Sequence, residues 1–128
     1  MEKQLVYSKN APTPLGPYSQ GVRYAGLVFV SGQGPVDPST GKVVEGGIEK
    51  QVERTLENVK EVLKAGGSSM EAVLKVTVYL KNPEHFKQMN EVYSKFFPVN
   101  PPARATVVAS MVSPSWLVEI DAVGSVTQ

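Results

Sequence analysis

The first residue in this chain whose type and setting could do chemistry is an arginine in an apolar run. Arg104 lies in Pro101-Pro102-Ala103-Arg104-Ala105-Thr106-Val107-Val108-Ala109, where nearly every neighbour is small or apolar. A guanidinium stripped of water needs a paired anion to recover the cost of desolvation. Either the chain or a ligand must therefore supply a carboxylate. Glu119 is the matching oddity, carried in Trp116-Leu117-Val118-Glu119-Ile120-Asp121-Ala122-Val123. Two readings follow. Arg104 and Glu119 form a structural ion pair across adjacent strands, or Arg104 offers its planar fork to a substrate carboxylate while Glu119 handles protons or water. Glu119 with Asp121 is a poor hard-cation site, because two carboxylates with no further clustered oxygen ligands are too few.

Other candidates are weaker taken singly. Ser31-Gly32-Gln33-Gly34 follows an apolar strand but has neither the third glycine of a dinucleotide fingerprint nor the lysine of a P-loop. What survives is a strand end where glycine either makes a turn or lets a ligand reach bare backbone. Ser31 or Ser19 as a hydrolytic nucleophile needs a base. The single histidine, His85, opens an amphipathic helix, and no G-x-S-x-G elbow is present. Asn90 sits near the buried stripe of that helix as a structural amide. Tyr18, at a loop-to-strand junction, either packs or covers a small planar ligand.

These side chains need a scaffold. Short strands are expected at 4–7, 19–24 and 27–31, with turns at Ala25-Gly26 and at Asp37-Pro38-Ser39-Thr40-Gly41. Ile48, Val52, Leu56, Val59 and Leu63 recur every three or four residues, which predicts a helix over 47–65 stopped by Gly66-Gly67. Ser69 is expected to cap one helical turn before a strand at 73–80, in which Leu74, Val76, Val78 and Leu80 share a face. Asn82-Pro83-Glu84 starts a second helix that buries Phe86, Met89, Tyr93 and Phe96 and ends near Phe97-Pro98. Strands at 103–109 and 117–125 complete an α+β layer pair with two helices on one sheet face. Alternation then predicts Arg104, Thr106, Glu119, Asp121 and Thr77 on the uncovered face. That face, with Val73, Tyr79, Leu117 and Val123, is too apolar for water and points to a homo-oligomer interface.

Composition narrows the function classes. At 128 residues the chain reads as one domain, 1–128, with a net charge of +1 and no basic stripe for nucleic acid. There is no cysteine and only one histidine, so thiol chemistry and the usual transition-metal clusters cannot be assembled. No cofactor and no metal are expected. Without a signal-peptide pattern or an apolar stretch of membrane-spanning length, the expectation is a soluble cytoplasmic protein.

Several segments carry a resemblance across nearly the whole chain, in order. They are Asn10-Ala11-Pro12, Gly16-Pro17-Tyr18-Ser19-Gln20-Gly21, Ser31-Gly32-Gln33, Lys75-Val76-Thr77-Val78-Tyr79-Leu80, Met89-Asn90-Glu91-Val92-Tyr93, Pro102-Ala103-Arg104 and Val118-Glu119-Ile120-Asp121. With these the chain resembles the RidA/YjgF (Rid) family of reactive-intermediate deaminases. The resemblance implies a chorismate-mutase-like α+β fold and a homotrimer whose sheets close into a central barrel, with ligand sites between subunits. It implies hydrolysis of 2-aminoacrylate and 2-iminobutanoate to 2-oxo acids and ammonia. By position it assigns carboxylate binding to Arg104, water handling to Glu119, and pocket roles to Tyr18, Ser31, Gly32 and Asn90. Three departures stand out: Thr106 where many members have cysteine, Gly34 in place of a hydrophobic residue, and a diverged loop over 111–116.

An imine carbon is already electrophilic, so such a site needs neither metal nor covalent nucleophile. Arg104 would orient the carboxylate, Ser31 and the Gly32 carbonyl would hold the nitrogen, and Glu119 would move protons. The competing expectations are a sensor that binds a small carboxylate without turnover and, supported by neither charge nor His85, an endoribonuclease or translation inhibitor.

Overall fold

The computed structural model describes residues 2–127, in which the apolar periodicities become eight strands and two α-helices. The strands are β1 (Gln4–Val6), β2 (Gly21–Tyr24), β3 (Leu27–Gln33), β4 (Val36–Asp37), β5 (Lys42–Val43), β6 (Val73–Leu80), β7 (Ala103–Val108) and β8 (Val118–Ser125). The helices are α1 (Gly47–Ala65) and α2 (Phe86–Phe96). Six strands form one sheet in the order β1-β2-β3-β8-β6-β7, while β4 and β5 make a separate small hairpin. Neighbours run antiparallel except β6 and β7, which α2 joins as a parallel crossover. The expected α+β layer pair is present.

The core lies between the helices and one face of the sheet. From α1, Val52, Leu56, Val59, Val62 and Leu63 are fully buried against Val28, Val30, Val76, Val78, Val118 and Ile120. Burying a side chain of this size stabilises by about 1.5–3 kcal/mol relative to leaving it in water. The stripe is therefore the main anchor of α1. The helix stops at Gly66 and Gly67, whose amides return to Leu63 and Lys64 carbonyls.

Three details differ from expectation, each for a local reason. In β6, Val73 is buried and Leu74 is half-exposed. A bulge causes this: Val73 faces Gly124 and Lys75 faces Val123, so Leu74 is an extra residue and the alternation slips by one. The Pro83–His85 segment is a 3-10 turn, so α2 proper begins at Phe86, and neither Asn82 nor Ser69 makes a side-chain cap bond. Phe86 is consequently half-exposed, and Met89, Val92 and Tyr93 form the buried side of α2.

The third difference bears on the site. Parallel pairing sets Arg104 beside Val76 and Thr106 beside Val78, both core residues. Arg104 and Thr106 therefore lie on the helix side of β7, not on the open face. Glu119 pairs with Tyr79 and Asp121 with Thr77, and with Ala105 and Val107 these occupy the open face. The expected alternation holds within β7 and within β8, but β7 turns Arg104 and Thr106 to the helix side instead of the open face.

Candidate active site

The residues singled out in the sequence fall into two clusters. The first is built on the edge strand β7 and on α2. Asn90 Oδ1 accepts a hydrogen bond of 2.8 Å from an Arg104 Nη. The guanidinium carbon sits 4.7 Å from the Tyr93 ring centre and 5.8 Å from that of Phe86. Such cation–aromatic contacts contribute about 0.5–2 kcal/mol and leave the in-plane N–H groups free. A guanidinium has five N–H donors, and Asn90 is the one side chain that accepts from it among the described residues. The ion pairs between described residues join Lys50 to Glu53 and Lys64 to Glu61, and neither involves Arg104. Thr106 Oγ1 is buried nearby without a partner. Burial raises the Tyr93 phenol, and the adjacent Arg104 charge pulls the other way.

The second cluster forms where β3 meets β8. Val30 faces Ala122 and Gln33 faces Ile120, so three steps on β3 match two on β8 and a bulge falls at Ser31-Gly32. The bulge turns Ser31 toward the segment before β2. Its amide donates to the Gln20 carbonyl at 2.9 Å and its hydroxyl to the Ser19 carbonyl at 2.6 Å. With its proton so engaged and no imidazole bonded to it, Ser31 is not set up as a nucleophile. Gly32 lies directly under Glu119, and any Cβ at position 32 would fall on the Glu119 carboxylate. A side chain at 32 would therefore have to push the Glu119 carboxylate aside. Glu119 is half-buried, and its pKa is raised by desolvation first and by the Asp121 charge second. Asp121 accepts the Tyr79 hydroxyl at 2.9 Å. That bond is the main cause of the upward shift of the Tyr79 phenol.

Tyr18 stands beside this cluster, with its hydroxyl oxygen accepting the Leu15 amide at 3.1 Å. Next to Tyr18 and Gly32 is a cavity of about 170 Å³ whose lining includes Leu15, Val36, Pro38 and Trp116. A Cβ on Gly34 would collide with the Trp116 ring, so two departures noted in the sequence, Gly34 and the 111–116 loop, are packed against each other.

The expectation of an Arg104–Glu119 ion pair is overturned. β6 separates β7 from β8, and the two side chains project from opposite faces. Within one chain, Arg104, Asn90 and Thr106 form one cluster, and Tyr18, Ser31, Gly32 and Glu119 form another.

Sequence reasoning also passed over the groups that hold the second cluster. On the buried side of α1, Asn58 Nδ2 donates to the Gly34 and Val36 carbonyls at 3.0 and 2.9 Å, and Arg54 donates to Asn58 Oδ1. Gln51 grips the far loop, donating to the Ser115 carbonyl and accepting the Leu117 amide. Gln20 does the same for the leading loop, accepting the Ser8 amide and donating to the Ser8, Ala11 and Pro12 carbonyls. The available signal was Gln51 and Asn58 at helical spacing inside an apolar stripe, where buried amides must have partners.

Residues 8–126 match the protein family described as Endoribonuclease L-PSP. A Rid-family protein of Yersinia pestis has the same fold, with a TM-score of 0.93 at 37% identity, covering 98% of this chain and 100% of that one. The chain belongs to the RidA/YjgF (Rid) family. Among curated relatives, a RutC family protein of Pyrococcus abyssi is 44% identical over 96% of this chain and 97% of its own length. The human 2-iminobutanoate/2-iminopropanoate deaminase is 36% identical over 94% of this chain and 88% of its own. This Rid family member thus has imine deaminases among its relatives. No helix among its described residues is long and apolar enough to cross a membrane.

Proposed function

We propose that this protein hydrolyses 2-imino and 2-enamino acids, such as 2-iminobutanoate and 2-aminoacrylate, to 2-oxo acids and ammonia. The observation that carries the reading is Arg104. It is a permanent cation seated against Tyr93 and Phe86, held by Asn90, with donors left for an incoming carboxylate. The relatives that carry deaminase names support the same reading.

The two half-sites point away from each other within one chain, so the working site is assembled between copies, in the trimer that the family resemblance implies. Arg104, Asn90 and Thr106 come from one copy; Tyr18, Ser31, Gly32 and Glu119 come from the next. The exposed Val107 and Val108 on the edge strand supply apolar surface for that contact.

The chemistry follows from the parts. Arg104 pairs with the substrate carboxylate and fixes the carbon skeleton. An enamine substrate takes a proton on carbon from solvent to become the iminium ion, which an imine reaches by taking a proton on nitrogen. The Gly32 carbonyl accepts an N–H of that ion. Glu119 removes a proton from water as the water oxygen bonds to the carbon and the C=N electron pair moves onto nitrogen. Glu119 then gives this proton to the nitrogen of the tetrahedral aminoalcohol; as the C–N bond breaks, ammonia leaves, the hydroxyl proton passes to Glu119 and on to solvent, and the 2-oxo acid remains. A carboxyl group with a raised pKa suits both directions of proton transfer.

The test is to add purified protein to a threonine dehydratase reaction containing semicarbazide. The expected result is faster loss of trappable imine at unchanged dehydratase rate. An unchanged semicarbazone yield rejects turnover and leaves carboxylate binding alone.

A further inference from the structure

The cavity beside Tyr18 is not used by the mechanism above, which needs only the carboxylate, the imine and a water. We propose that it takes the side chain of the substrate and selects imino acids with branched aliphatic or aromatic side chains over the smallest ones. This rests on the reading that Tyr18 and Gly32 flank the reacting imine, since both also line the cavity. A side chain leaving an imine carbon beside Gly32 is thus next to the cavity.

Three observations give the occupant its chemistry. The volume, about 170 Å³, compares with the roughly 150 Å³ of an apolar protein cavity that binds benzene. Leu15, Val36, Pro38 and Trp116 present hydrocarbon to it. Of the polar groups on its wall, Gln20 is committed to backbone partners, Gln33 Nε2 donates to the Ser31 carbonyl, and the Tyr18 hydroxyl accepts the Leu15 amide. With Thr13 and the Trp116 indole N–H the further polar side-chain groups of the lining, a polar side chain would recover fewer hydrogen bonds than it loses with water, and an apolar one loses none. The cavity is also held in shape. Asn58 fixes the Gly34 and Val36 carbonyls, and Gln51 fixes the loop that carries Trp116. The indole rests against Gly34, in space that any side chain at 34 would claim. Gly34 and Trp116 are thus a matched pair that sets the depth of the pocket.

Calorimetric titration of the intact protein with two 2-oxo acids tests this without turnover. Pyruvate is the short probe and 4-methyl-2-oxopentanoate the long one. The wild-type protein is expected to bind the long acid about tenfold or more tightly, as a few buried methylenes provide. Trp116→Ala removes one wall and should reduce that ratio. Because a destabilised Trp116→Ala protein would also read as lost binding, Leu15→Trp is the second variant. It alters a side chain that is 81% exposed yet lines the cavity, and should bring the long-to-short ratio close to one. Equal wild-type affinities, no binding of the long acid, or a Leu15→Trp protein that keeps the wild-type ratio would each overturn the proposal. Failure of the semicarbazide assay with the ratio intact would reject catalysis and leave the side-chain pocket standing.

Discussion

Arg104 and Glu119 stand in opposite surroundings. The arginine lies on the helix side of an edge strand, its charge permanent and its faces occupied by aromatic rings. The glutamate lies on the open face of the sheet, over a bare glycine and near a second carboxylate, with its pKa moved up. In the proposed function, one region holds an anion at any ordinary pH and the other exchanges protons. Among the described residues of one chain no cation pairs with Glu119, so desolvation and the Asp121 charge set the direction of its shift. A site assembled from two copies can therefore contain both a strong anion holder and a poised acid.

The sharpest test of this division is Glu119→Gln. It keeps shape and removes proton transfer, so kcat should fall by about 10²–10⁴ while KM stays nearly constant. Steady-state kinetics in the coupled dehydratase assay would show it, and a rise in KM at constant kcat would make Glu119 a binding residue instead. Arg104→Ala comes next. Losing a charge-assisted pair should cost about 3 kcal/mol, roughly a hundredfold in kcat/KM. Sedimentation should show the assembly unchanged. Arg104→Lys should recover only part of the loss, since a point charge does not replace the fork.

Much of this arrangement was legible in the sequence. The stripe from Ile48 to Leu63 identified α1 because its period is long and regular, and Gly26 between two short apolar runs marked a hairpin, whose turn residues Ala25 and Gly26 have positive φ, 52° and 80°. The residues proposed to carry chemistry stood out because a cation and an acid in apolar runs are costly unless partnered or used. Which side of the sheet they face was not. Alternation says that Arg104 and Thr106 share a side; it does not say that parallel pairing with β6 puts that side under α2. Bulges at Leu74 and at Ser31-Gly32 are equally hidden, because one inserted residue leaves composition unchanged while shifting the alternation. Asn58 and Gln51 were missed because they act on carbonyls of loops far away in sequence.

The placement on two faces predicts complementation. Arg104→Ala and Glu119→Gln proteins, each inactive alone, should regain activity when unfolded together, mixed one to one and refolded. In a random mixture about a quarter of the inter-subunit sites draw an intact arginine from one copy and an intact glutamate from the next. Recovery to about that fraction of wild-type turnover supports shared sites. A mixture that assembles but stays at the level of the separate variants would put both groups to work within one chain and break the comparison.

The smallest expected effect concerns how Glu119 is tuned. Its ionised form is disfavoured first by burial and second by the charge of Asp121. Water activation needs the carboxylate, so kcat should rise with pH through the raised pKa and level off above it. Asp121→Asn deletes the like charge and keeps an oxygen to accept the Tyr79 hydroxyl. The Glu119 pKa should fall, moving the acid limb of the kcat profile to lower pH. The plateau should change little, because burial, the larger cause, is untouched. A limb that moved to higher pH would mean that Asp121 supports the carboxylate through bonding rather than opposing it through charge. A limb that did not move would leave burial over Gly32 as the whole cause. In that case the proton-exchanging region owes its tuning to the strand bulge alone, as the arginine region owes its charge to chemistry alone.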